Sequence, residues 1–262
     1  MKANVNGIGL YYEVHGREGA PWLVLSHSLA CSVRMWDEQV TAFQDRYRIL
    51  AFDSRGHGQS EAPAGPYTLE LLAGDLKALL DHLRIGRAHF CGLSMGGMIG
   101  QSFALRYPGI FASLVLADTT SRYPAEALPL WQDRIRLAET QGMQPLVEPT
   151  LGRWFTEPYR KAHPETVERI GKLIASTPVP GYVGCSRAIP KIDFTARLKD
   201  IRCPILVIVG EQDQGTPIPM AREIHDHTPG SKLVIIPDAA HLSNLEQPEG
   251  FNRALDNFLK TR

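Results

Sequence analysis

The sequence predicts an α/β protein: a mostly parallel twisted sheet flanked by helices, with a helical insertion laid over it. Three observations predict it. Short apolar runs of strand length alternate with stretches of helical periodicity. A Gly-x-Ser-x-Gly pentapeptide, Gly92-Leu93-Ser94-Met95-Gly96, falls between one such run and the helix that follows. Finally, about 75 residues from Thr119 to Thr195 carry no strong strand signal, too many for a plain connection. The expected division is a core of residues 1–118 and 196–262 with a cap of residues 119–195.

In chain order, Ile8 to Val14 alternates as a strand, and Gly16, Gly19 and Pro21 turn the chain. Trp22 to Leu25 reads as a strand buried on both faces. Met35 to Phe43 has helical spacing, and Tyr47 to Phe52 is a further buried strand ending at Asp53. Ser54 to Pro66, rich in Gly, Ser and Pro, is loop. Thr68 caps a helix whose apolar stripe is Leu69, Leu72, Leu76, Leu79, Leu80 and Leu83. Ala88 to Cys91 is a strand, Met95 to Tyr107 a helix stopped by Pro108, and Leu114 to Ala117 a strand ending at Asp118. Within the insertion, Leu130 to Gln141 and Pro164 to Ile174 are helical. The α/β pattern then resumes with strand Pro204 to Val209, helix Ile218 to His227, strand Lys232 to Ile236 and a closing helix Gln247 to Leu259.

Charge excludes some partners. Lys and Arg number 28, and so do Asp and Glu, leaving no basic stripe for nucleic acid. No apolar run is long enough to cross a bilayer, and the N-terminal residues lack the apolar core of a secretion signal. Cys31, Cys91, Cys185 and Cys203 are widely spaced, fitting neither a disulfide scaffold nor a zinc site. A cytoplasmic protein, a monomer or small homo-oligomer, acting on a small molecule without metal or other cofactor is the expectation.

The pentapeptide carries the chemistry. A sharp strand-to-helix turn lifts Ser94 out of the sheet, and the new helix aims its positive end at the site. A serine hydroxyl needs a base, and the base an orienting acid. Asp213, in Gly210-Glu211-Gln212-Asp213 after a strand, is the acid, with Asp118 the alternative. His241, just beyond the strand Lys232 to Ile236, is the base among nine histidines. Backbone N–H groups of Leu29 and Met95 are expected to hold an oxyanion. His27, Arg55 and His57 read as braces of their loops. Trp36, Trp131, Trp154 and Tyr182 are candidates for a pocket wall. If the substrate bears a carboxylate, the pocket needs a cation, for which Arg34, Arg122, Arg134, Arg153 and Arg187 are candidates; Arg34 and Arg187 join Trp36, Trp131 and Trp154 in the substrate-binding set.

These residues resemble those of the α/β-hydrolases with a helical cap, and more narrowly of the 3-oxoadipate enol-lactonases. The similar stretches include Leu25-Ser26-His27-Ser28-Leu29, Asp53-Ser54-Arg55-Gly56-His57-Gly58, Ala88 to Gln101, Arg153-Trp154-Phe155-Thr156 and Ala240-His241-Leu242-Ser243-Asn244. The resemblance implies an α/β-hydrolase fold and hydrolysis of a small lactone or ester, with 3-oxoadipate enol-lactone the leading substrate. General carboxylester hydrolysis, C–C bond hydrolysis, a perhydrolase reaction and a non-catalytic ligand receptor are the alternatives. This chain departs from the enol-lactonases at His27 and Ala30, where that group carries Asn and Gly.

Overall fold

The computed structural model describes residues 1–260. Its eight-stranded sheet runs in the order β1-β2-β4-β3-β5-β6-β7-β8. The strands are β1 (Lys2–Val5), β2 (Ile8–His15), β3 (Trp22–Ser26), β4 (Arg48–Phe52), β5 (Ala88–Leu93), β6 (Phe111–Ala117), β7 (Ile205–Gly210) and β8 (Lys232–Ile236). From β4 to β8 all neighbours are parallel, while β2 runs antiparallel to both β1 and β4. The continuous apolar runs fill the centre: every residue of β5 and of β7 is buried. The folded surface of 11087 Å² matches the roughly 11,000 Å² that area scaling gives for this mass.

Helices cover the sheet. They are α1 (Asp37–Phe43), α2 (Leu69–His82), α3 (Met95–Arg106), α9 (Ile218–Asp226), α10 (Ser243–Glu246) and α11 (Pro248–Leu259); between β6 and β7 lie α4 (Leu128–Gln141), α5 (Val147–Trp154), α6 (Glu157–Ala162), α7 (Pro164–Ser176) and α8 (Val179–Ala188). The Thr68 hydroxyl accepts the Leu71 N–H at 3.1 Å, capping α2, and Leu69, Leu72, Leu76, Leu79 and Leu80 are buried. Expectation and structure differ at several points, among them the short helix α10, which the sequence reading did not include. β1 has only Ala3 and Val5 facing inward, too short a signal to read. The stretch from Met35 begins as a 3₁₀ turn, Val33–Trp36, before α1. The insertion holds three helices, α5, α6 and α8, beyond the two expected, because prolines at their first turns start helices there rather than break them.

The insertion leaves and rejoins the core through one narrow neck. Arg122 and Asp193 form an isolated antiparallel bridge, and the Phe194 N–H donates to the Ser121 carbonyl at 2.8 Å. Beside them the hydroxyls of Ser121 and Thr195 are 2.7 Å apart. A second attachment is backbone on backbone: α8 meets the loop after β4 so closely that a Cβ on Gly181 would lie 1.9 Å from the Gly56 carbonyl oxygen. No side chain can be accommodated there without separating the two segments. Gly181→Ala is therefore expected to destabilise the protein by about 2–3 kcal/mol, read as a lower urea midpoint at unchanged slope; a midpoint equal to wild type would show that the contact yields.

Candidate active site

The turn after β5 is made by three close approaches. A Cβ on Gly92 would lie 2.3 Å from the Gly96 carbonyl, and one on Gly96 would lie 2.1 Å from the Ser26 carbonyl. Between these glycines Ser94 sits at φ 56°, ψ −115°, a left-handed backbone that costs of order 1–3 kcal/mol. β6 holds it there: the Ser94 N–H donates to the Ala117 carbonyl at 2.8 Å, and the Thr119 hydroxyl donates to the Ser94 carbonyl at 2.7 Å. α3 then starts at Met95, whose N–H lies in the first turn, where no carbonyl of the helix can take it. Along α3, Gly97 packs on Thr119, and Gly100 packs on Phe90 and Leu114.

The turns after β7 and β8 bring two more side chains to Ser94. His241 Nε2 lies 2.9 Å from Ser94 Oγ, and its Nδ1 lies 2.9 Å from Asp213 Oδ2. Asp213 also accepts the N–H groups of Gly215 at 2.7 Å and Thr216 at 3.0 Å, and the Thr216 hydroxyl at 2.8 Å. Burial opposes a charge on Asp213, but His241 and the Thr216 donors outweigh it and hold its carboxyl below the ordinary range. Burial likewise opposes a charge on His241, and Asp213 outweighs it, raising the imidazole above its ordinary value. Asp118 is buried nearby; burial and then the charge of Asp213 push it well above the usual carboxylate range. It is not the partner of His241: it accepts from Gly210 and Ser243 instead.

The loop after β3 is braced by His27. Its Nε2 accepts the Ser54 N–H at 2.9 Å, so Nδ1 carries the proton and donates to the Ser28 carbonyl at 2.7 Å. Burial pulls His27 down to about 4, keeping it neutral. Ala30 adopts φ 56° in this loop, a conformation that glycine adopts freely and alanine does not. His57 packs against His27 with ring centroids 5.3 Å apart, and Arg55 is held by Asp75 at 2.7 Å; both brace their loop.

A cavity of about 330 Å³ opens above Ser94. Leu29, Ser94 and His241 form its floor; Trp131, Trp154, Ile174 and Tyr182 come from the helical insertion. Trp154 lies 6.0 Å from the His241 ring, and its carbonyl accepts the Leu242 N–H. Glu246 ties the insertion to the histidine turn by accepting Thr156 N–H and hydroxyl and the Ala240 N–H.

Among the described residues, two arginines line this cavity, Arg134 and Arg153, and no Asp or Glu does. Among the described residues neither has a carboxylate partner. Arg134 lies over the Trp131 ring at 5.2 Å, and Arg153 donates to the Thr150 hydroxyl. Burial, and then Arg134, bring the Arg153 guanidinium down to about 10.

Three members of the expected substrate-binding set lie elsewhere. Trp36 is fully buried in the core against Phe251. Arg34 is ion-paired with Glu13 and Asp37 on the surface. Arg187 pairs with Glu139 at 2.7 Å on the outer side of α4 and α8, and Arg122 pairs with Glu223. Residue type and order along the chain do not reveal which way a side chain points. The spacing of Trp131 and Arg134, three apart on α4, is the available signal that they share a face. Ser28 also lines the cavity, and among the described residues its buried hydroxyl has no hydrogen-bond partner.

Comparison with known proteins agrees with this architecture. The chain is 38% identical to 3-oxoadipate enol-lactonase 2 of Acinetobacter baylyi, over 97% of this chain and 94% of that one. The crystal structure of the enol-lactonase from Burkholderia xenovorans LB400 superposes with a TM-score of 0.96 at 38% identity, covering 99% of this chain and 100% of that one. A thermophilic esterase from Thermogutta terrifontis, solved with malate bound, superposes with a TM-score of 0.92 at 31% identity, covering 100% and 98%. The family defined by the alpha/beta hydrolase fold matches residues 21–248, and the chain belongs to it.

Proposed function

We propose that this protein is a serine hydrolase that opens a small lactone or ester bearing a carboxylate, with 3-oxoadipate enol-lactone as substrate and 3-oxoadipate as product. The observation that carries the reading is the charge of the cavity: Arg134 and Arg153, without acidic partners, share it with Ser94 and His241. Both guanidinium groups are half-buried, and Arg153 is desolvated enough to be brought down to about 10, a cost that an anion joining them offsets. The enol-lactonases at 38% identity and the malate-bound esterase support the same chemistry. The unpaired thiols and the small-molecule cavity are in keeping with a cytoplasmic catabolic role.

In the proposed mechanism the substrate carboxylate pairs with Arg134 and Arg153, turning the lactone carbonyl toward Ser94. His241 takes the hydroxyl proton as Ser94 Oγ attacks, and Asp213 stabilises the imidazolium. The N–H groups of Leu29 and Met95 hold the oxyanion. Collapse breaks the ring C–O bond, and His241 returns its proton to the leaving enol oxygen; the enol then becomes the ketone. Water, deprotonated by His241, frees Ser94 and leaves a second carboxylate. The residues 119–195 act as the cap that closes this space against bulk water.

Ser94→Ala is expected to cut turnover of p-nitrophenyl acetate and of the lactone by roughly 10⁴-fold or more at unchanged melting temperature; retained turnover would overturn the mechanism. Arg134→Ala is expected to lower kcat/KM for the anionic lactone by roughly 100-fold, with less than about a threefold change on p-nitrophenyl acetate. Equal losses on both would remove the carboxylate from the reading, as would a strong wild-type preference for plain aryl esters. His241 must be neutral to accept a proton, and its neighbours raise it above the ordinary value, so activity falls as pH drops through that raised value. The acidic limb of kcat/KM should lie above about 6.5 and move downward in Asp213→Asn; an unmoved limb would assign it to another group.

A further inference from the structure

The end of β6 touches each of the turns that carry Ser94, Asp213 and His241. Ala117 and Thr119 bracket the Ser94 backbone by the two hydrogen bonds described above. Between them Asp118 is fully buried, with φ 44°, and its own N–H is tied to the Ile208 carbonyl of β7 at 2.8 Å. Its carboxyl spans the other two turns. Oδ1 accepts the N–H of Gly210, the last residue of β7 before the Asp213 turn, at 2.8 Å. Oδ2 accepts the hydroxyl of Ser243, two residues beyond His241, at 2.5 Å. From these contacts we infer that Asp118 is a positioning residue, a brace that fixes the distance between the Asp213 turn and the His241 turn.

This rests on the reading of Ser94, Asp213 and His241 as the reacting chain. The inference adds a fourth residue that touches no substrate. Its carboxyl lies behind the chain, and no further hydrogen bond joins it to His241 or to Ser94. Burial and the charge of Asp213 favour its neutral form, so an amide is a close replacement. An asparagine offers an oxygen to the Gly210 N–H and an N–H to the Ser243 oxygen. An alanine offers neither, leaves the Gly210 N–H unpaired in a buried site, and frees the two turns to drift apart. A misplacement of about 1 Å at a reacting group can cost on the order of 100-fold in rate.

The test uses the full chain with p-nitrophenyl acetate. Asp118→Ala is expected to lower kcat by roughly 10- to 100-fold with KM within about threefold. Asp118→Asn is expected to restore kcat to within about threefold of wild type. The low-field proton resonance of the His241–Asp213 hydrogen bond should persist in the asparagine variant and shift or broaden in the alanine variant. Ser243→Ala removes one of the two bonds and serves where Asp118→Ala does not fold; its kcat should fall by roughly three- to tenfold at constant KM. Wild-type kcat in both Asp118→Ala and Ser243→Ala would overturn the brace, and so would an asparagine variant as impaired as the alanine one. Ser94→Ala, run alongside, separates the two ideas. If it retains turnover, the serine mechanism fails; if it is inactive while the Asp118 and Ser243 variants match wild type, only the brace fails.

Discussion

The site depends on how closely two backbones approach each other. Gly96, in the first turn of α3, lies against the Ser26 carbonyl at the end of β3 with no room for a side chain. That contact forces the chain leaving β5 into a tight reversal, and Ser94 takes the strain at its apex. It also sets the ends of β3, β5 and β6 side by side, because β3 and β5 are paired through Ser26 and Gly92, and β5 and β6 through Leu93 and Ala117. The starts of the loop after β3, the Ser94 turn and the β6 end are thus set side by side by sheet register. A parallel sheet suits this, since all of its strands from β4 to β8 finish at one edge.

Charge is arranged in two layers above that edge. Nearest Ser94, Asp213 is held ionised by four donated hydrogen bonds and supports the imidazole, while the second buried carboxyl, Asp118, is pushed toward neutrality by burial and then by the charge of the first. Two carboxyls in one dry region cannot both ionise cheaply, and the hydrogen bonds decide which does. Farther out, the helical insertion contributes two guanidinium groups and no acid. The balanced total of 28 positive and 28 negative residues conceals this local excess.

The strands and the Ser94 turn were legible because each has a short-range signature: a buried apolar run, or glycines at fixed offsets. Asp213 and His241 could be picked out by their positions just past strand ends, and they stand 2.9 Å apart. Side-chain direction was not legible. Trp36 and Trp154 look alike in sequence, yet one fills the core against Phe251 and the other faces His241. Among the arginines, what separates Arg134 and Arg153 from Arg34 and Arg187 is the absence of a carboxylate partner among the described residues. That depends on residues such as Glu13 and Glu139, remote along the chain from the arginines they neutralise. β1 was invisible for a related reason: an edge strand with two inward residues has almost no pattern to show.

The neck of the insertion has a consequence for how such proteins diversify. Its outgoing and returning segments are zipped together at Arg122 and Asp193 and again at Ser121 and Thr195. Along the chain, everything between them is a loop with adjacent ends, held to the core elsewhere at Gly56, Leu242 and Glu246. Lengthening or exchanging such a loop costs little closure entropy and leaves the register of β6 and β7 untouched. The helices that roof the cavity can therefore be exchanged as one unit, provided that the contacts to Gly56, Leu242 and Glu246 are kept, while the strand ends that carry Ser94, Asp213 and His241 stay in place.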